Sequence, residues 1–235
     1  DNLSVEPTVV WLSHFSAPVK LAQQTDDLSL LKIAADASDG VARWDAMQQF
    51  WSQKIQQVVN GRHLSEVLPP QLFDLMRQWL QQPESDLSLT SELLSLPDFD
   101  TLAEQYSEIP VDAILTTLQH LRAMMLRMLQ SELWACYHAI ERQPYSYNET
   151  DVGRRRLKAL CLSYLAQDDS NAERLITAHY DQADNMTDTI AALQASQHGK
   201  SALFNQLVKH FSQHWQHDTL AMDKAFAMVA TDPSE

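Results

Sequence analysis

The chain has 235 residues, 45% of them hydrophobic and 20% charged, which is the composition of a folded protein and excludes a disordered one. Its formal net charge is −14, from 17 Lys and Arg against 31 Asp and Glu, so a surface built for non-specific nucleic-acid binding is excluded and an anionic membrane surface disfavoured. With only 4 glycines and 9 prolines, the many tight turns of an all-β fold are not provided for.

The first elements are short and β-rich. "PTVVWL" (Pro7–Leu12) and "APVKL" (Ala17–Leu21) read as two strands broken by proline. Two strands alone are marginal in water, so residues 1–21 are expected to end a sheet whose other strands lie elsewhere. From about Leu28 the pattern turns helical. Trp44, Met47, Trp51, Ile55 and Val58 recur at three- and four-residue steps, one face of a helix that Ser38 or Asp39 caps and Asn60-Gly61 stops. "PPQLFDLMRQWLQQP" fits a short helix between prolines, and "TSELLSL" and "DFDTLAEQY" are shorter helical turns.

Pro110 leads into a long helix over about Val111–Glu141. Leu115, Leu118, Met125, Leu129, Cys136 and Ile140 line one side, and Leu121, Met124, Met128 and Leu133 widen the apolar surface, which predicts helices packed on both sides. His120, Arg122, Arg127 and Glu132 interrupt the stretch, so it is not a membrane span. Further helices are expected at about 149–166, 170–181, 186–197, 201–214 and 219–230, with connections short enough for antiparallel neighbours. The fold class read from this is mainly α: a solenoid-like, right-handed array of helix pairs with a short N-terminal β remnant. No convincing sequence repeat accompanies it.

Little in the chain points to chemistry. Cys136 and Cys161 sit inside apolar helical patterns and read as reduced, buried thiols of a cytosolic protein. The chain opens Asp1-Asn2-Leu3-Ser4, without Met or an apolar run, which reads as a piece of a longer protein without a signal peptide. His210, His214 and His217 share a helical face, as zinc-binding His pairs do. A metallopeptidase helix needs Glu directly after its first His, however, and Phe211 stands there, so a polar stripe on an exposed helix is the stronger reading. No H-E-x-x-H, Gly-rich phosphate loop or G-x-S-x-G occurs. "GRRRLK" (Gly153–Lys158) is the one basic cluster, either a phosphate patch or, more in keeping with an acidic protein, a solvated helix face paired with carboxylates. Trp44, Phe50 and Trp51 have the spacing of core residues more than of a ligand cage. In "NMTD" (Asn185–Asp188), Asn185 is a good N-cap, Asp188 reaches back or complements the helix dipole, and Met186, Ile190 and Leu193 form the apolar stripe that follows.

Several of these stretches, in one order, carry a family resemblance. "FSAPVKL" (Phe15–Leu21), "RWDA" (Arg43–Ala46), "NMTD", then Trp215 and "MDK" (Met222–Lys224) resemble the C-terminal region of bacterial alanyl aminopeptidases of the aminopeptidase N type, in the M1 zinc metallopeptidase family. The resemblance covers essentially the whole chain. It implies a longer enzyme with a β-domain, a thermolysin-like catalytic domain carrying H-E-x-x-H and a distal Glu, a small β-sandwich and a large helical domain. On that reading residues 1–21 end the β-sandwich, and residues 22–235 form the helical domain, truncated at its C-terminal end.

The family's catalytic and zinc-binding residues have no counterpart here, so no catalytic, metal or cofactor-binding residue is assigned. Zinc belongs to the longer enzyme, and this chain is expected to be inactive alone. Arg43, Trp44, Asp45, Asn185, Met186, Thr187, Asp188, Trp215, Met222, Asp223 and Lys224 are read as packing positions. Asp223, flanking the Met222/Phe226/Val229 face, is expected to pair between helices, with Lys224 pointing elsewhere. The function implied is a non-catalytic domain that encloses the active-site chamber and restricts access to it. The enzyme would remove N-terminal Ala and other neutral or basic residues from peptides in the cytoplasm. Its implied partners are the catalytic domain of the same polypeptide and the peptide substrates. The alternative is a stand-alone helical scaffold that binds a partner protein on a concave face.

Overall fold

The computed structural model describes residues 8–10, 25–168, 170–197 and 201–232. The expected strands fall outside the described residues except for residues 8–10, which carry no regular structure. The described residues form twelve helices, distributed over two compact units, Asp1–Met124 and Met125–Glu235.

The first unit contains α1 (Asp27–Asp36), α2 (Gly40–Val59), α3 (Leu64–Val67), α4 (Pro70–Gln81), α5 (Leu87–Leu94) and α6 (Phe99–Ala103). Four of its helices begin on side-chain caps: Asp26, Asp39, Asp86 and Asp98 each accept from backbone N–H groups of the first turn of α1, α2, α5 and α6. α2 stops where the sequence said it should, at Asn60 followed by Gly61 with φ +95°, a conformation that costs glycine nothing. At the other end of α2, Gly40 lets α5 approach, since a Cβ there would stand 3.2 Å from a Leu89 methyl.

The core of this unit packs Phe50, Trp51, Met47 and Ile55 of α2 with Leu30 and Leu31 of α1, Leu72 and Met76 of α4, and Leu93 and Leu94 of α5. Two cations lie on the same buried face. Arg43 donates from Nε to the Ala34 carbonyl at 2.7 Å and from Nη2 to Glu84 at 2.7 Å, while Lys54 pairs with Asp27. Trp44, expected on the core face, is instead 37% exposed, and Arg43 takes the inward position. The reason is geometric. Arg43 precedes Met47 by one turn, and its aliphatic stem packs like an apolar residue while its head finds fixed acceptors.

α7 (Val111–Ala139) contains the boundary between the units. Ile114, Leu118 and Leu121 are buried in the first unit, and Met125, Leu129, Leu133, Cys136 and Tyr137 in the second. The steps of three and four make one stripe. The stripe is narrower than expected: Leu115 and Met128 are exposed and Met124 is half-buried.

The second unit adds α8 (Glu149–Leu165), α9 (Ala172–Gln182), α10 (Met186–Ser196), α11 (Ser201–His214) and α12 (Thr219–Ala230). α10 packs on both α8 and α9. Its buried face is Ala192, Leu193, Ala195 and Ser196, with Met186 and Ile190 only half-buried, because small residues let the three helices close up. Phe204 and Phe211 of α11 complete the core, with Ala221, Ala225 and Met228 of α12. Cys136 and Cys161 are free and buried here, on α7 and α8. Among the described residues no helix is long and apolar enough to cross a membrane.

Candidate functional site

Two helices of the second unit begin with the same device. Before α10, Asn185 Oδ1 accepts from the Asp188 N–H at 3.0 Å, and Asn185 Nδ2 donates to Asp188 Oδ2 at 2.8 Å. Before α8, Asn148 Oδ1 accepts from the Asp151 N–H at 2.9 Å, and its Nδ2 donates to Asp151 Oδ2 at 2.8 Å. The sequences are "NETD" (148–151) and "NMTD" (185–188). The reciprocal pairing satisfies an orphan backbone donor and sets a carboxylate against the positive end of each helix. Asn185 is thus the N-cap, and Asp188 reaches back to the cap's side chain.

Both caps open onto a polar cleft of about 70 Å³. Its floor is a buried pair: the Tyr137 hydroxyl lies 2.8 Å from His179 Nδ1, and each residue is 7% exposed. Burial pushes the Tyr137 phenol up to about 12, with the charge of Asp188 adding to it. Burial holds His179 below its ordinary value, against Asp188, which raises it, and with Lys158 and Arg142, which lower it further. Its Nε2 is buried without a hydrogen-bond partner.

Arg142, Arg154, Arg155 and Lys158 also line the cleft. Lys158 Nζ donates to the Ile140 carbonyl at 2.7 Å and Arg154 Nη2 to the Glu141 carbonyl at 3.3 Å, so two cations meet carbonyls just past the C-terminus of α7, where helix geometry favours positive charge. Arg155 Nη1 donates to the Ser146 carbonyl at 3.0 Å, and its guanidinium lies 4.9 Å from the centre of the Tyr145 ring. Arg142 stands 3.5 Å from Asp184. The basic cluster is therefore folded onto the end of a helix and not spread over a solvated face.

On the other side of Asn185 lies a wider groove of about 640 Å³. Asn185, Met186, Thr187 and Trp215 line it, together with Tyr145, Tyr180, His210 and His214. Tyr180 Oη is 3.0 Å from His210 Nδ1, and His214 packs edge-on against Trp215 with ring centres 5.1 Å apart. His210, His214 and His217 are all exposed, and among the described residues no group of three or more His, Cys, Asp or Glu is arranged to hold a metal ion.

The structure thus brings "NMTD" and Trp215 together, although sequence alone kept them apart. Met222, Asp223 and Lys224 are not among the residues that line this groove. Arg43, Trp44 and Asp45 belong to the first unit, where exposed Asp45 accepts from Gln49 at 2.6 Å and Trp44 lines a separate apolar groove of about 510 Å³ with Val41 and Leu89. Met222 is half-buried on α12, while Asp223 and Lys224 are exposed. Contrary to expectation, Asp223 forms no ion pair among the described residues, because the inward face of α12 is Ala221, Ala225 and Met228, and this turns Asp223 outward. Sequence reasoning missed the Tyr137–His179 pair, whose partners stand on different helices. It also passed over the recurrence of N-x-T-D, which was visible.

Three comparisons bear on kinship. The family described as "Domain of unknown function (DUF3458_C) ARM repeats" matches residues 27–235. Aminopeptidase N of Haemophilus influenzae is 32% identical over 97% of this chain and 26% of its own length, and that of Escherichia coli is 32% identical over 100% and 27%. The chain thus spans about a quarter of the length of these curated relatives. A crystal structure of Legionella pneumophila aminopeptidase A in complex with aspartic acid superposes with a TM-score of 0.88, covering 100% of this chain and 28% of that one at 22% identity, which establishes a shared fold.

Proposed function

Because this chain belongs to the family of DUF3458_C ARM-repeat domains, we propose that it is the non-catalytic helical C-terminal domain of an M1 zinc aminopeptidase, enclosing the active-site chamber and restricting substrate access. The observation that carries the reading is the match, end to end, to about a quarter of two bacterial aminopeptidases N. The lining of the two clefts supports a binding or enclosing role, because it offers cations, aromatic rings and carboxylates. In this reading an H-E-x-x-H in the catalytic domain of the same polypeptide would hold a zinc ion, which would supply Lewis-acid chemistry there. The enzyme removes Ala and other neutral or basic residues from peptide N-termini. The free, buried thiols of Cys136 and Cys161 suit a reducing, cytoplasmic setting.

The test uses the full-length polypeptide and the present chain side by side. The full polypeptide should hydrolyse an alanyl anilide in a zinc-dependent way, and the present chain should not. Loosening the enclosure, by substitutions on this chain's surface that faces the catalytic domain, should raise hydrolysis of a large folded substrate relative to the anilide. An unchanged ratio across such variants would remove the sieving role, and anilide hydrolysis by the chain alone would remove the non-catalytic one.

A further inference from the structure

The charge of this protein is unevenly placed. The chain carries a net −14, yet four of its cations, Arg142, Arg154, Arg155 and Lys158, line one 70 Å³ cleft with the buried Tyr137–His179 pair beneath them. We propose that this cleft is an oxyanion-binding site that takes a single carboxylate or phosphate group between Arg154, Arg155, Lys158 and His179 Nε2. The proposal is read from this chain's own residues and does not depend on the aminopeptidase reading.

The donors are present and largely unused. A guanidinium offers five N–H groups and an ammonium three. Among the described residues Arg154, Arg155 and Lys158 each make one hydrogen bond, all to backbone carbonyls, which position the side chains without neutralising them. The fourth donor follows from the Tyr137–His179 contact. The phenol keeps its proton, and among the described residues the partner within reach is His179 Nδ1. If Tyr137 donates, Nδ1 accepts and the neutral ring carries its proton on Nε2. The opposite tautomer would leave both the phenol proton and Nε2 without partners in a buried place, which is the costlier arrangement. His179, which lines the cleft, therefore holds a buried, unpartnered N–H, and such a donor calls for an acceptor.

The cleft gathers four cations against three carboxylates, Glu141, Asp151 and Asp188, and Asp151 and Asp188 already accept from the cap amides of Asn148 and Asn185. Lys158 is held below its ordinary value first by burial; Asp188 opposes this, and Arg142 and Arg154 reinforce it. A bound anion would relieve that crowding. The volume also admits a small polar group, since about 70 Å³ is several times the roughly 10–15 Å³ that a single water needs.

The experiment is titration of the full chain at low salt with inorganic phosphate, with N-acetyl-trialanine and with its C-terminal amide, followed by calorimetry and by the His179 imidazole nitrogen resonances. One anion should saturate a single site and shift the Nε2 resonance, while the amide should not bind. Tight peptide binding with weak phosphate binding would identify a peptide carboxylate as the source, and the reverse a phosphate. Arg154→Gln and Arg155→Gln should each weaken binding about tenfold, the loss of a charge-assisted hydrogen bond. Circular dichroism verifies that each variant is folded, and if one is not, the other decides. No saturation by either anion, a silent Nε2 resonance, or affinities unchanged in both variants would each overturn the site.

Discussion

At the scale of single residues, two buried polar groups decide most. Arg43 is inward-facing, 7% exposed, and holds both the last turn of α1, through the Ala34 carbonyl, and Glu84. Removing it strands a buried acceptor and empties space beside Met47. Arg43→Ala should cost about 2 kcal/mol, below the full range for breaking a buried ion pair because the Glu84 side chain is 35% exposed. Urea unfolding measures this, and a loss under about 0.5 kcal/mol would mean that Arg43 is replaceable packing. His179 governs the pH response. Tyr137, Lys158, Arg142 and Asp188 face it, and its folded value lies below the unfolded one of about 6.5. The folded state then binds fewer protons, so stability is complete above about pH 6.5 and declines as pH falls toward the lowered value, at up to about 1.4 kcal/mol per unit. In His179→Gln that part of the decline should vanish, as seen by comparing unfolding at several pH values between neutrality and mild acid.

At the scale of elements, the caps set where helices begin. Asn148→Ala and Asn185→Ala should each cost about 1 kcal/mol, with Ser at either position recovering much of it. Equal stability of the Ala and Asn forms would show that neither helix depends on its cap. Apolar side chains on α12 divide sharply: Phe226 is 63% exposed and Met228 7%. Phe226→Asp should change stability by less than about 0.5 kcal/mol, whereas Met228→Asp, which buries a charge, should cost several. Thermal melts of the two variants distinguish them. Helix positions were legible from the sequence because caps, prolines and the Asn60-Gly61 stop are local signals, and α2, α4 and α7 to α12 lie close to where the pattern put them. Facing was less legible. Trp44 came out exposed with Arg43 in the inward position, and Leu115 came out exposed, because hydropathy does not register that a long cationic stem can fill a core once an acceptor waits at its end. The cleft was the least legible part. Tyr137 and His179 meet only through the packing of separate helices, and nothing local in either stretch announces the other.

At the scale of the whole molecule, the placement of charge gives the protein a gate as well as a binding preference. A body of net charge −14 repels small anions at a distance, whereas the cleft gathers Arg142, Arg154, Arg155 and Lys158. Far-field repulsion is lost once the Debye length shrinks to about 10 Å near 0.1 M salt, while short contacts inside the cleft are screened much less. Association and dissociation should therefore respond to salt in different ways. Raising salt from low values should speed phosphate capture while it weakens final affinity, opposite in its kinetic part to the steering of oppositely charged partners. Stopped-flow measurement over a range of sodium chloride would reveal the two trends, and an association rate that falls with salt would show that the cleft's field already dominates the approach. The protein would then meet an anionic group most readily when that group arrives on a carrier with little other charge, since each further negative group on the carrier must cross the repelling field before the first one docks.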